Sequence, residues 1–434
     1  MVSPSHDSLS RRDVTRAAVA IGGSAALSAC LERADEPADV PHGPEDLSTL
    51  PARQHAWNDA LATDEYGNHL APRHRVLILF DYARDGAPSD ADRETVENAF
   101  RTLERAYERS HDGLLCTMSY SPSYFARFDE SLPDSVDLRE PEALAPFEDP
   151  ELDRPDAVVH LASDHGSVVL AAEEALRGEL DELNGVSVDA TFDGVFERVD
   201  RRTGFVGEGL PAENQDVSDV PDSKPVPEDA PMYMGFKSGF EKNQASEERV
   251  TIQAGPFAGG TTQQLSLLRL TLHQWYEQDT RDQRVATMFC PAHAADDRVE
   301  GAGHSLGNSS GLGNCPAHAG DDARTEGAVG HAQKAARARE DDSPLLLRRD
   351  FDSTDDDRAT LHFLSLQRSI GDFVDTRQAM NGTDLAETSA VGQRLNNGIL
   401  QYVTVERRGN FLLPPRALRA LPTPTPDANR TRSD

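Results

Sequence analysis

Apolar positions in this chain fall into short runs separated by polar, turn-forming stretches. Arg75-Val76-Leu77-Ile78-Leu79-Phe80 is almost continuously apolar and reads as a buried strand. Ser89-Asp90-Ala91-Asp92 can cap a helix, and Val96, Phe100, Leu103 and Tyr107 then recur at helical spacing on one face. Strand-like runs follow at Leu114 to Ser119, Ala157 to Leu161 and Val186 to Val199, with a helix from about Ser167 to Leu183. The second half repeats the plan. Glu248 to Gln253 and Gln264 to Leu272 read as strands, and His273 to Met288 as a helix. An irregular Gly- and His-rich stretch runs from Cys290 to Gly330. Then come a strand at Ala359 to Leu366, a helix near Phe373 and a strand at Ile399 to Val405.

This order predicts an α+β fold made of two ferredoxin-like, βαββαβ-type halves with antiparallel sheets. A cofactor site is expected between the sheet and the helices of the C-terminal half. Composition sets the boundaries. Residues 1–30 read as a targeting signal and 31–70 as a flexible acidic linker. The N-terminal half covers 71–208, a Pro- and acid-rich interdomain connection 209–231, and the C-terminal half 232–421. Residues 422–434 form an expected disordered tail.

The formal net charge is −32. That argues against a nucleic-acid partner, which would require phosphate contacts from Lys and Arg. Only four lysines occur, and the acids are spread along the chain instead of forming one tail. Dispersed acid marks a hydrated folded surface, here read as halophilic adaptation, in which salt screens surface charge.

Ser10-Arg11-Arg12-Asp13-Val14 is a twin-arginine signature, and the apolar stretch Ala17 to Ala29 is too short to span a bilayer. It ends in Leu27-Ser28-Ala29-Cys30, which resembles a lipobox. The expectation is export of the folded chain, by a route that often carries proteins with a cofactor loaded, and lipid anchoring at Cys30 on the extracellular face. A secreted protein with a chance cysteine is the competing reading.

Cys116 sits in an apolar run and reads as a buried small hydrophobe. Cys290-Pro291-Ala292-His293 and Cys315-Pro316-Ala317-His318 form a repeated C-P-A-H. Cys290, His293, Cys315 and His318 are ligand types suited to Zn, or to Cu if one position stays open. A Cys290–Cys315 disulfide and a duplication without ligand role remain as alternatives.

Several stretches, in shared order, resemble the dye-decolourising peroxidases. Ser119 to Phe125 (SYSPSYF) is similar to that family's G-Y-S-P-x-Y-F, with Ser119 for the glycine. Asp156 to Asp164, Arg201 to Phe205, Gly259 to Thr262, Leu361 to Gln367 and Asn396 to Pro415 match further pieces. Gly235-Phe236-Lys237-Ser238-Gly239 falls where the family has G-F-x-D-G, with Ser238 for the aspartate. The match covers about Arg73 to Leu421.

The resemblance implies heme b, hydrogen peroxide and a reducing organic donor. Gly330-His331-Ala332 resembles the proximal-ligand region, so His331 is expected to hold the iron through a neutral imidazole nitrogen. Leu345 to Phe351 resembles the distal segment, so Arg348 is expected to donate to peroxide. Arg349 stands beside it as a cofactor contact. Gly235 and Gly239 are expected to let backbone approach a flat ligand. Ser238 cannot act as a carboxylate does, and Glu241 is the acid nearest in sequence that could replace it.

The leading expectation is thus an exported DyP-type heme peroxidase, weakened in activity by loss of the family's acid. A non-catalytic heme- or metal-binding lipoprotein on the same fold is the alternative. Membrane contact is expected only through Cys30, and an oligomer is compatible with this reading. Trp57 and Trp275 read as packing residues, with electron relay as the competing role.

Overall fold

Two sets of four strands, each threaded by helices, carry the chain. The computed structural model describes residues 40–387 and 390–426. The twin-arginine segment, Cys30 and most of the expected C-terminal tail lie outside the described residues. The N-terminal set is β1 (His74–Tyr82), α1 (Asp90–Ala106), β2 (Leu115–Tyr120), β3 (Ala157–Ser163), α2 (Gly166–Leu176) and β4 (Phe196–Phe205). Its spatial order is β4-β1-β3-β2, all antiparallel. In the C-terminal set, β5 (Thr261–Leu270) precedes α3 (Arg281–Met288), α4 (Cys315–Thr325) and α5 (His331–Ala335). Then follow β6, in the two pieces Leu347–Arg348 and Phe351–Ser353, β7 (Thr360–Gln367), α6 (Ile370–Asn381) and β8 (Val403–Leu413). Its order, β8-β5-β7-β6, is the same, again antiparallel. Both halves are ferredoxin-like, as the repeated pattern predicts.

The halves join edge to edge. Phe205 of β4 pairs with Asp352 of β6, and Tyr120 of β2 pairs with Leu412 of β8. The eight strands therefore close into a barrel-like ring, which leaves few open sheet edges. Side chains alternate across each strand. One set, including Leu77, Leu79, Val158, Leu265, Leu347, Phe351 and Leu364, packs inside the ring. The other set faces helices. Val76, Ile78 and Phe80 pack on α1 and α2 through Val96, Phe100, Val169 and Ala172.

Three stretches depart most from the sequence expectation; in addition, the last strand runs Val403–Leu413 instead of Ile399–Val405, and the helix expected to reach Leu183 ends at Leu176. The strand expected at Val186 to Val199 begins only at Phe196 and runs to Phe205. Its charged residues hid it; Arg202 pairs with buried Asp153 at 2.7 Å and Arg201 with Glu173 at 2.8 Å. The strand expected at Glu248 to Gln253 is instead a short helix, Glu247–Val250, whose N-cap Ser246 accepts from the Arg249 N–H.

The third departure is the segment read as a flexible linker, which is packed on the body from residue 40 onward. Trp57 is fully buried. Its ring lies 5.3 Å from His160 and beneath the Arg349 guanidinium, 4.2 Å from the ring centroid. Gln54 donates to the carbonyls of Met118 and Pro414, and so ties the segment to both halves. An aromatic anchor overrides the acid- and proline-rich composition around it. The start of the expected tail is docked as well, since the Tyr124 hydroxyl donates to the Pro422 carbonyl at 3.0 Å.

Trp57→Ala should destabilise the full chain by about 3–5 kcal/mol, read by guanidinium unfolding. A loss below about 1 kcal/mol would show that the segment is a passive covering.

Candidate functional site

The helix-facing side of the C-terminal sheet does not pack fully against its helices. A cavity of about 240 Å³ lies between β5 to β8, helices α3, α5 and α6, and the turn at residues 232–240. Its volume is close to the lower bound of roughly 300 Å³ at which small-molecule sites begin. Met234, Phe236, Leu268, Phe289, Leu346 and Phe363 make most walls apolar. His331, Arg348, Asp350, Asp352 and Ser238 supply polar groups.

His331 opens α5. Gly330 precedes it because a side chain there would strike backbone; a Cβ would lie 1.9 Å from the Phe289 carbonyl oxygen. The helix is held from behind. Buried Lys334 donates to the carbonyls of Met380, at 2.5 Å, and Asn397, at 2.9 Å. Burial, with the nearby Arg377 and Arg337 charges, pulls its ammonium down to about 7. Gln333 donates to the Cys315 carbonyl at 2.8 Å and to Asp322 at 2.6 Å. Burial, then the Arg348 charge, pulls the His331 imidazole down to about 3. His331 is therefore neutral at ordinary pH, and among the described residues neither ring nitrogen is hydrogen-bonded.

β6 supplies the charged wall. Its two pieces keep the same register with β7, Leu347↔Leu366 in the first and Ser353↔Thr360 in the second. Alternation therefore sends Arg348, Asp350 and Asp352 to the cavity and Leu347, Arg349 and Phe351 to the other face. Among the described residues the Arg348 side chain makes no ion pair, which leaves its donors available to a ligand. Asp350 accepts from the Leu364 N–H at 3.1 Å. Burial raises its carboxyl to about 6, against the opposing pull of Arg348. Asp352 accepts from the Tyr233 N–H at 2.6 Å, and burial raises it well above the carboxylate range. Below the cavity, Arg408 and Arg377 converge on buried Glu148 at 2.8 and 2.7 Å. This N-terminal-half acid is held below its usual range by both arginines, against the cost of burial.

The structure thus brings His331, Arg348 and Ser238 to one cavity, with Ser238 exposed to solvent. The other expected residues lie elsewhere. Arg349 is buried on the opposite face, where it donates to the His55 carbonyl and pairs with Glu247 at 3.4 Å. Glu241 is on the surface and bonds His69 at 3.0 Å, because the Gly239 turn directs it outward. Gly235 has φ 80° and approaches Tyr276, whose hydroxyl would lie 2.8 Å from a Cβ, rather than a flat ligand. Gly239 has φ 77° and also shapes the turn without lining the cavity. Trp57 and Trp275 are both fully buried packing residues. Asp350 and Asp352 were missed as site residues. The signal that finds them is period-two alternation after Arg348.

The C-P-A-H repeat sits behind Phe289. Cys290 and Cys315 form a disulfide, and Cys116 is the free cysteine among the described residues. His293 packs against the two sulfurs, whereas His318 is exposed on α4 and apart from them.

Comparison with known proteins gives a family and a fold. The model of a family of unknown function (DUF7405) matches residues 72–415. A search of curated proteins finds no match. Among solved structures, the encapsulated DyP-type peroxidase from Mycobacterium smegmatis is similar at TM-score 0.53 and 13% identity, covering 85% of this chain and 100% of that one. The dye-decolorizing protein from V. cholerae is similar at TM-score 0.52 and 12% identity, with 84% and 98% covered. A dye-decolorizing peroxidase from Bacteroides thetaiotaomicron reaches TM-score 0.50 and 15% identity, with 84% and 98% covered. At these identities the likeness is one of fold.

The raised Asp350 carboxyl predicts a pH-dependent stability. Its folded value, about 6, exceeds the ordinary ~3.9 of an aspartate. Its contribution is therefore present below pH ~4 and lost as pH rises through about 6. Asp350→Asn removes that loss. Thermal unfolding should show the variant more stable than the parent at pH 7.5, by up to about 2–3 kcal/mol, and equal to it at pH 4. Equal stability at both pH values would place the carboxyl in water.

Proposed function

The chain belongs to the DUF7405 family of unknown function, and from its cavity we propose that it is a heme b protein that reduces hydrogen peroxide at the expense of an organic donor. One observation carries this reading. Among the described residues, an imidazole without a hydrogen bond, a guanidinium without an ion pair and a buried carboxyl share one largely apolar cavity between sheet and helices. The proposal includes export by the twin-arginine route and lipid attachment at Cys30, motivated by the N-terminal motifs.

The residues present fit a heme. His331 would hold the iron, since it offers a neutral nitrogen that no described residue hydrogen-bonds. The apolar walls suit a flat macrocycle, and Arg339 at the cavity suits one of its carboxylates. Lys334 and Gln333 fix α5 and hence the position of the imidazole.

When bound, heme b supplies the redox-active iron at which peroxide is cleaved. The chain's residues handle the charge and the proton. The Arg348 guanidinium donates to the peroxide oxygen on which charge develops. Asp350, two residues on and on the same face, takes the proton from one peroxide oxygen and returns it to the departing one. It does this as a carboxylate, so the step requires pH above about 6. Ser238 cannot serve here, because a hydroxyl does not ionise in this range. The acid expected from the glycine turn is thus supplied by β6.

Hemin added to the full chain should give a Soret band in stoichiometric titration, and His331→Ala should abolish it or shift it. No Soret band ends the heme reading. Given binding, peroxide-dependent dye oxidation tests the chemistry. Its kcat/KM for peroxide should rise between pH 5 and 7. Arg348→Leu should lower it by roughly 10²–10³-fold and Asp350→Asn by roughly 10²–10⁴-fold, the latter with a flattened pH profile. A parent that binds heme and oxidises no donor would instead be a non-catalytic heme binder.

A further inference from the structure

We propose that Cys290, His293 and Cys315, in the dithiol state, form a buried site for one thiophilic closed-shell cation, Zn²⁺ or Cu⁺. Their ligand atoms all lie within 4.8 Å of one another, and all three residues are buried. The histidine is the telling member. Its Nε2 lies 2.9 Å from the Ser310 carbonyl oxygen. A carbonyl only accepts, so Nε2 carries the ring proton and Nδ1 presents its lone pair. That lone pair points at the sulfurs, 3.0 Å from Cys290 Sγ and 3.9 Å from Cys315 Sγ. A disulfide has no proton to donate, so in that state a buried acceptor faces two further electron-rich atoms. A cation shared by the three satisfies all of them.

The surroundings are those of a ligating histidine. The second ring nitrogen is fixed by a carbonyl, which sets tautomer and orientation. The Phe289 ring stacks on the imidazole at 5.5 Å and 9°. The Ser310 N–H donates to Asn243 at 2.7 Å and so anchors the carbonyl. Among the described residues the Ser310 hydroxyl is buried without a hydrogen-bond partner. Two thiolates suit soft cations, and with Zn²⁺ their charges cancel, as a buried site requires.

Entry into this state is a balanced exchange. An external dithiol passes two electrons and two protons to the Cys290–Cys315 bond and becomes a disulfide itself. The cation then displaces the two thiol protons. His318, exposed on α4, takes no part.

The test uses the full chain, reduced with a phosphine under argon, and does not depend on heme. Co²⁺ serves as the optical probe for Zn²⁺, and Cu⁺ is titrated separately against a chelator. One equivalent of metal should bind. Co²⁺ should give sulfur-to-metal charge-transfer absorption that Zn²⁺ displaces. Loading should protect Cys290 and Cys315 from alkylation. His293→Ala should weaken uptake at least about tenfold, Cys315→Ser should remove the charge-transfer band, and His318→Ala should change neither. Circular dichroism checks that each variant is folded; should Cys315→Ser fail, the contrast between His293→Ala and His318→Ala decides. No uptake of either metal by the reduced chain overturns the proposal, as does uptake insensitive to His293→Ala.

Discussion

The alternation of side chains along β6 is the constraint on which the candidate site rests. β6 keeps one register with β7 on both sides of a break at Arg349–Asp350, so consecutive residues fall on opposite faces. Arg348, Asp350 and Asp352 enter the cavity together, while Leu347, Arg349 and Phe351 fill the space behind them. A slip of one residue would exchange the two sets and put Arg349 into the cavity. The pairing also joins the two halves, since Asp352 is the residue that meets Phe205 of β4. One strand thus makes one of the two seams of the ring and charges the site.

The second support comes from the N-terminal half. Glu148 reaches beneath the cavity and holds Arg377 and Arg408, both of which line it. Buried ions of this kind are tolerated only when paired, and removing one partner is costly, typically ~3–5 kcal/mol. Trp57, held by Arg349 and His160, seals the other side of the sheet. Neither half supplies the cavity alone: the C-terminal half provides its walls and the N-terminal half neutralises its floor.

Burial sets the chemistry more than local sequence does. The same low-dielectric setting keeps His331 neutral and keeps Asp350 and Asp352 protonated further up the pH scale. A neutral imidazole and a carboxyl near its titration point are what metal ligation and proton transfer require. At the disulfide, burial turns an ordinary Cys-x-x-His spacing into a compact donor set.

The sequence by itself determined the repeated βαββαβ order, because apolar runs and capped helices are local signals that survive without context. Resemblance to the motifs of the dye-decolourising peroxidases, and no local period, singled out His331, Arg348 and Ser238. Only the tertiary structure decided which acid serves the cavity, since Glu241 is closer in sequence to Ser238 yet is turned outward by Gly239. It separated Arg349 from Arg348, because a strand sends neighbours to opposite faces. It split the two C-P-A-H copies, burying His293 and exposing His318. It also recovered β4 and the segment around Trp57, whose charged or proline-rich sequences look loose until distant partners satisfy them. In each case the deciding contact joins residues far apart in the chain, and no local pattern can carry it.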